Sequence, residues 1–347
     1  LLTLKTEPSL SASALVRVYL PTYRRPALLP RALASLQAQT MTRWVCELHN
    51  DDPADPFPAE LVARLADPRI TLVTHGRNLG ATVTFNLFFQ AVAEPFYSLL
   101  EDDNWWEPDF LATMLAAAKP HPSVTVFWAN MRIWEEQPGG AFRNTGRTIW
   151  EIGSADAVQI FPWGHSRQIC GALHSNGAAL IRSHSGDDFR IPEVPFASIE
   201  PFRERMFPHP LMLIPEPLAN FSVTLQTARS RDPAEWAEVQ AMLAATFFLE
   251  CPWDEARLRR LWDEARAEKP SGTTNLILAS LAHPAARALR RHARWSDWLI
   301  VWRGFVRRPG LCFRILRSHH KHAGWWRFLE MHTKARWQEA ATATVSP

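Results

Sequence analysis

The sequence predicts an α/β fold, a mostly parallel sheet flanked by helices, followed by a helical C-terminal extension. Three observations point there. Between residues 16 and 100, short apolar runs readable as strands alternate with helical patterns, at the spacing of β-α-β units. One such run, Tyr97-Ser98-Leu99-Leu100, ends on three consecutive acids, Glu101, Asp102 and Asp103, ahead of a helix opened by Pro108. Charge is divided unevenly. From Leu281 onward 13 Lys and Arg stand against 3 Asp and Glu, a surplus of ten that leaves −7 on the preceding residues. Six of the 16 tryptophans share that last stretch, so the two parts of the chain have different duties.

In order, Val16–Leu20 reads as a first strand ended by Pro21. Leu28–Gln39 reads as a helix, with Leu28, Leu29, Leu33 and Leu36 near one face. Trp44–Leu48 is a second strand, and a turn region rich in Asp and Pro runs from Asn50 to Pro58. Leu61–Ala66 continues as helix, Ile70–Val73 as strand, Ala81–Ala93 as helix and Phe96–Leu100 as the strand that leads into the acids. Val124–Met131 is a further strand. The pattern loosens through Trp134–Gly171, then resumes as a strand at Gly177–Ile181 and a short helix at Ile199–Met206. Pro233–Glu268 is charged and helical, and basic, tryptophan-rich helices follow a break at Lys269–Thr274. The expected division is an α/β domain over 14–230 and a helical, basic extension over 231–347.

With 347 residues the chain can bury one large core or two modest ones. Its 47% apolar and 21% charged content is ordinary for a soluble globular protein. The first eleven residues lack the layout of a secretory signal, and no run approaches the ~18 apolar residues that span a bilayer. Cys46, Cys170, Cys251 and Cys312 show no paired spacing, which argues against a disulfide framework or a zinc site and for a reducing cytoplasm.

Carboxylates at the C-terminal edge of a buried parallel strand face the crevice where open α/β sheets bind ligands. Hard oxygen donors hold Mg²⁺ or Mn²⁺, usually shared with substrate phosphates. An isolated Asp-Asp pair is more often a solvated turn capping a helix, so the surrounding residues decide. They comprise Val16-Arg-Val-Tyr-Leu-Pro-Thr-Tyr-Arg-Arg25, then Leu33, Leu36 and Gln39-Thr40, then His49-Asn50-Asp51-Asp52-Pro53-Ala54-Asp55. Arg77-Asn78-Leu79-Gly80 with Asn86 comes next, and Glu101–Asn104 with Pro108-Asp-Phe-Leu111 closes the series. In order and spacing these resemble the nucleotide-sugar-dependent glycosyltransferases of family 2, which have the Rossmann-like GT-A fold, over roughly residues 14–225.

The resemblance implies a Mn²⁺ or Mg²⁺ cofactor held by Asp103. Asp102 would bind the donor sugar or ribose, or reach the cation through water, while Glu101 points back into the fold. Thr22 and Tyr23 stand where the family cradles the nucleobase. Asp51 matches the second acid of the family's Asp-Asp pair, with Asn50 in place of the first; either would bind uracil or ribose. Arg77 is placed to neutralise phosphate or simply precedes a turn, and Asn78 and Gly80 build that turn. Family members are inverting enzymes and need a base for the attacking hydroxyl. Glu200 occupies that neighbourhood, although Pro201 replaces the expected Asp. Glu193 and Asp188 are the alternatives, and an acid at Glu200 also suits the start of a helix. Ser222-Val-Thr224 stands where many relatives carry Arg-x-His, so Arg229 or Arg231 would have to supply the missing charge. His174 and His209 fall near the expected acceptor face, with structural roles weighed above ligand roles.

In the extension, Trp298, Trp302, Phe305 and Val306 fall on one helical stripe interrupted by Arg303, Arg307 and Arg308. Phe313 and Leu316 with Arg314 and Arg317 repeat the pattern, and a histidine and tryptophan cluster runs from His319 to Trp326. This suits peripheral contact with an anionic membrane, or packing on the catalytic domain. Nucleic acid is not expected, because no recognisable module supports it. The expected activity is inverting, metal-dependent transfer of a sugar from a nucleotide-diphosphate donor to a hydroxyl of a glycan or lipid-linked acceptor, in bacterial surface-glycan synthesis. It would take place in the cytoplasm or at the cytoplasmic face of the membrane. The alternatives are a catalytically impaired binding or scaffold protein, motivated by the altered base and Arg-x-His motifs, and a nucleotidyltransferase. The lack of a glycine-rich, lysine-containing loop near the first strand argues against the last.

Overall fold

The computed structural model describes residues 14–153, 156–191, 198–226, 233–250, 253–268, 270–321 and 323. They fall into two units. One takes in the chain up to Pro162 with His174–Glu193 and Arg205–Thr227; the other takes in Trp163–Leu173, Val194–Glu204 and the chain from Ala228 onward. The chain therefore enters the second unit three times, at Trp163, Val194 and Ala228.

The first unit is built on a ten-stranded sheet. Its strands are β1 (Val16–Thr22), β2 (Trp44–Asn50), β3 (Ile70–Thr74), β4 (Phe96–Leu99), β5 (Trp105–Trp106), β6 (Val126–Glu136), β7 (Phe142–Thr148), β8 (Gln159–Phe161), β9 (Ala179–Arg182) and β10 (Leu211–Val223). They run in the order β3-β2-β1-β4-β9-β6-β10-β5, with β7 paired to β6 and β8 to β10. The first four are mutually parallel; β9 runs antiparallel to both its neighbours, and β10 is again parallel to β6. Near-continuous burial along β1 and β2 reflects strands covered on both faces. Helices α1 (Leu29–Gln37), α2 (Phe57–Leu65), α3 (Ala81–Asn86) and α4 (Phe110–Ala118) connect them. Leu29, Leu33 and Leu36 of α1 are fully buried in the main core, on the face their spacing predicts.

Several elements differ from expectation for identifiable reasons. Pro21 does not end β1; it pairs with His49, and the strand runs on to Thr22. The helix expected over 81–93 stops at Asn86, because a tertiary partner captures the chain. Asn86 Nδ2 donates to the Ile191 carbonyl (2.7 Å), its Oδ1 accepts from the Ile191 N–H (3.0 Å), and Phe189 N–H donates to the Phe89 carbonyl (2.9 Å). The stretch expected to be irregular over 134–171 instead carries the end of β6, a hairpin to β7, and β8. That hairpin turns at Gly139 and Gly140, both with positive φ (95° and 83°), where glycine carries no Cβ penalty. β10 was hidden by Pro215 and Pro217, which break a strand reading; the register shifts between Ile214 and Ala219 accommodate them.

The second unit contains α5 (Ser166–Cys170), α6 (Ile199–Glu204), α7 (Pro233–Glu250), α8 (Glu255–Glu268), α9 (Pro270–Ala282), α10 (Trp295–Arg307) and α11 (Pro309–Lys321). Its own core gathers Phe247, Trp262, Leu276, Leu289 and Ile315. The stripe expected on α10 divides. Trp298 and Phe305 pack on this core beside buried Val301, whereas Trp302 and Val306 remain exposed. Among the described residues, no helix is long and apolar enough to cross a membrane.

Two charged groups brace the sheet's parallel half. Arg17 Nε and Nη2 donate to Glu94 Oε2 (2.7 Å) and Oε1 (2.8 Å), and its Nη1 pairs with Glu47. The Glu94 side chain is 1% exposed. Arg17→Met strands that carboxylate in the interior and is expected to lower stability by about 3 kcal/mol in urea denaturation; a loss below ~1 kcal/mol is what a solvated pair would give. Asp67 accepts a two-pronged bond from Arg69 (3.0 and 2.7 Å) and another from Gln37 (3.1 Å). The Arg69 bond is foremost among the interactions that hold its pKa down to about 2. A carboxyl depressed below its unfolded value of about 3.9 contributes stability above that pH and loses it as pH falls through about 2. Thermal melts of Asp67→Asn should therefore show a flatter decline between about pH 4 and pH 2 than the wild type; parallel curves would contradict the assignment.

Candidate functional site

Parallel pairing brings the C-terminal ends of β1 to β4 to one edge of the sheet, with Thr22, Asn50, Thr74 and Leu99 as the last strand residues. The acids follow β4 directly. Thr22 Oγ1 donates to Asp102 Oδ2 at 2.8 Å, and the Tyr23 backbone adds a second bond. Desolvation, and then the neighbouring charge of Asp103, push the Asp102 pKa up to about 7 against the pull of those bonds and of Arg25. Asp103 keeps a side chain that is 25% exposed, with Arg25 Nη1 at 3.8 Å from its carboxylate. Its backbone carbonyl accepts from Arg31 Nη2 at 2.8 Å.

The flanking Glu101 and Asn104 are structural. Glu101 Oε2 accepts from Asn104 Nδ2 (2.7 Å), and buried Asn104 accepts from the Ser222 N–H (3.0 Å). Glu101 thus points back into the fold, and Ser222 ties β10 to the corner. Gly177, in the short 3-10 turn Asn176–Ala178 before β9, presses against this pair. A Cβ there would lie 2.7 Å from both Asn104 Nδ2 and Glu101 Oε2. Arg31 clamps the corner from α1: its guanidinium stacks over Trp105 (3.9 Å) and Phe142 (4.0 Å) and also donates to Ser222 Oγ (3.0 Å). Desolvation lowers its pKa. Where the Arg-x-His motif is missing, positive charge reaches the corner from Arg25 and Arg31 instead.

A second cluster lies after β2 and β3. Asp51 Oδ1 accepts from His75 Nδ1 (2.8 Å) and the Leu79 N–H (2.8 Å), and its Oδ2 accepts from the Gly80 N–H (3.1 Å). Asp51 therefore clamps the 76–80 loop, with one lone-pair direction or so remaining for a ligand. Because a carboxylate only accepts, His75 Nδ1 is the donor to Asp51, and His75 Nε2 pairs with His49 Nδ1 at 3.0 Å. His49 Nε2 in turn faces Glu47 at 3.3 Å, which continues to Arg17. Asn50 braces the next turn with both ends of its amide, donating to the Asp55 carbonyl (3.1 Å) and accepting from the Asp52 N–H (3.0 Å). Tyr23 is exposed beside the end of β1, with the Arg24 guanidinium 5.0 Å from its ring centroid. Arg24 takes a left-handed φ of 54°, and its Nε donates to Asp52 Oδ2 (2.6 Å). Arg77 is exposed on the clamped loop.

The first unit thus brings Thr22, Tyr23, Asn50, Asp51, Asp102 and Asp103 to one sheet edge, with Arg77 on the adjoining loop. Glu200 belongs to the second unit, half-buried in the first turn of α6. Asp188 is an exposed partner of Arg190 (2.6 and 2.8 Å). His174 is buried against Phe207 and bonds Asn176 (3.2 Å), and His209 bonds the Phe207 carbonyl (3.0 Å), both structural placements. Glu193, Arg229, Arg231, Trp325 and Trp326 lie outside the described residues. Sequence reasoning missed Arg31, His49, His75 and Gly177, since each acts through residues remote in the chain. Arg24 and Arg25 stood in the opening motif and could have been singled out as its paired cations.

No group of three or more His, Cys, Asp or Glu side chains able to hold a metal ion occurs among the described residues. Mg²⁺ and Mn²⁺ at phosphate sites need fewer: one or two carboxylates, with phosphate and water completing the shell. Asp103, an oxygen donor with remaining exposure beside Asp102, fits that limited requirement.

Residues 17–161 match the family described as glycosyl transferase family 2. The chain is 27% identical over 117 residues to the Escherichia coli (strain K12) protein named as a colanic acid biosynthesis glycosyl transferase, WcaA, and 26% identical over 119 residues to protein y4gI of Sinorhizobium fredii. Each alignment covers 33% of this chain, and 42% and 13% of those proteins. The chain thus spans less than half the length of the curated relatives it matches. Among solved structures, S. aureus TarS 1-349 in complex with UDP-GlcNAc superposes with a TM-score of 0.59 at 13% identity, covering 91% of this chain and 90% of that one. The same protein with UDP gives 0.57 at 15% identity. These likenesses establish the expected α/β GT-A fold, helical C-terminal region included.

Gly177→Ala must displace the Glu101–Asn104 pair. It is expected to cost about 1–3 kcal/mol in thermal or urea unfolding, and an unchanged midpoint would show that the corner yields freely.

Proposed function

Residues 17–161 belong to glycosyl transferase family 2, and from that premise we propose that the chain transfers a sugar from a nucleotide-diphosphate donor to a hydroxyl group. The observation that carries this reading is the Thr22–Asp102 hydrogen bond, which joins the end of β1 to the acids after β4. It supports a donor site at the edge of the sheet where open α/β folds bind nucleotides. In this reading Tyr23 offers its exposed ring to the base, Asp51 and the turn braced by Asn50 frame the ribose side, and Asp102 meets the donor sugar or ribose. Arg77 and Arg25 supply charge toward the phosphates.

Asp103 would hold Mn²⁺ or Mg²⁺, which when bound offsets the charge that develops on the departing diphosphate. For an inverting displacement the acceptor oxygen bonds to the anomeric carbon as the bond to the diphosphate oxygen breaks. Glu200 is assigned the proton released by the acceptor hydroxyl. The acceptor is a glycan or lipid-linked hydroxyl of bacterial surface-glycan synthesis, met at the cytoplasmic face of the membrane. The name borne by the Escherichia coli relative supports that class.

Donor hydrolysis and transfer assayed with and without Mn²⁺ test the reading. Nucleotide binding without any turnover would favour a scaffold protein that keeps the fold. Asp103→Ala is expected to abolish the Mn²⁺-dependent part of nucleotide-sugar binding by calorimetry, and an unaltered affinity would refute its role as ligand. Glu200→Gln should retain donor affinity while transfer falls by about 10²-fold or more; full activity would move the base elsewhere.

A further inference from the structure

Helix α10 carries two apolar faces, and among the described residues only one is covered. Trp298, Val301 and Phe305 turn into the second unit's core. Trp295, Leu299, Trp302 and Val306, spaced i, i+4, i+7 and i+11, form a separate stripe. Trp295 is 76% exposed, Trp302 63% and Val306 64%, while α11 adds Phe313 at 61%. Exposed apolar residues concentrated in this way mark an interaction surface.

The charge beside them has one sign. Arg303, Arg307, Arg308 and Arg317 are exposed on the same two helices and the joint between them. Asp297 is buried and paired with Arg266 (3.2 Å), and the next acid along the sequence is Glu330. Arg314 is the exception, since it bonds Glu238 (2.9 Å). A second copy of this chain, docked about a two-fold axis, would set these arginines against themselves. Tryptophan suits a boundary that is apolar on one side and wet on the other, and unopposed arginines suit a surface of negative charge.

We propose that the exposed face of α10 and α11 is a docking surface for an anionic lipid bilayer, with Trp295, Trp302, Val306 and Phe313 entering the interface and Arg303, Arg307 and Arg308 meeting the headgroups. This deepens the proposed function, on which it rests for its use: it would hold the transferase beside a lipid-linked acceptor.

Flotation of the full chain with vesicles tests it, comparing neutral phosphatidylcholine with the same lipid containing phosphatidylglycerol. The wild type is expected to float with the anionic vesicles and to stay behind with the neutral ones. Replacing Arg303, Arg307 and Arg308 by Gln should weaken partitioning on the order of a hundredfold, and Trp295→Ser with Trp302→Ser should abolish flotation. Thermal midpoints and nucleotide affinity should remain those of the wild type, since these side chains are exposed and distant in sequence from the donor motifs. Equal flotation with neutral vesicles, no flotation at all, or variants that float like the wild type would overturn the proposal. So would a concentration-dependent dimer in light scattering that the tryptophan variant loses. Loss of sugar transfer with flotation intact would count against the enzymatic reading alone.

Discussion

The hydrogen bond from Thr22 to Asp102 spans 80 residues of sequence, and the arrangement of the acidic corner depends on it. It exists because β1 and β4 pair in parallel with Tyr19 opposite Leu99, so the end of one strand and the turn after the other arrive together. Three further restraints act on the same corner. Arg31 holds the Asp103 carbonyl from α1, Ser222 of β10 holds Asn104, and Gly177 leaves just enough room for the Glu101–Asn104 pair. A turn held from several elements keeps its side chains in fixed positions. The raised pKa of Asp102 is a consequence of the same crowding.

The second cluster works by a different principle. Asp51 is engaged by His75 and by two backbone N–H groups of the loop, so its charge organises the protein before any ligand arrives. From it a line of bonded polar groups runs back along the sheet through His75, His49 and Glu47 to Arg17 and buried Glu94. Each member satisfies the next, and low dielectric makes an unsatisfied member costly. This line of contacts runs from the loop after β3 to the packing at the opposite ends of the strands.

Strands whose burial is continuous were legible from their apolar runs, and so was the acidic terminus of β4. Misreadings fell where distant residues intervene. Asn86 ends α3 because Ile191 offers it two hydrogen bonds, a partner 105 residues away. Pro215 and Pro217 conceal β10 because local rules exclude proline from strand interiors, while bulges in the actual pairing admit it. Periodicity placed Trp298, Trp302, Phe305 and Val306 together, yet the boundary of the core divides them. Asn50 and Asp51 were located by motif, but their hydrogen-bond commitments to a turn and a loop could not be read from residue type.

The sequence by itself determined the alternation of strands and helices, the family motifs and the acids that follow the fourth strand. All of these are recorded in local pattern: apolar runs, turn residues and the spacing between them. Tertiary structure alone decided which carboxylates face outward and which brace the fold, that arginines from α1 and its preceding loop serve the corner, and which side of α10 remains uncovered. Those outcomes depend on strand register and on contacts between segments far apart in the chain, where side-chain identity sets what can bond and only the packed geometry sets what does.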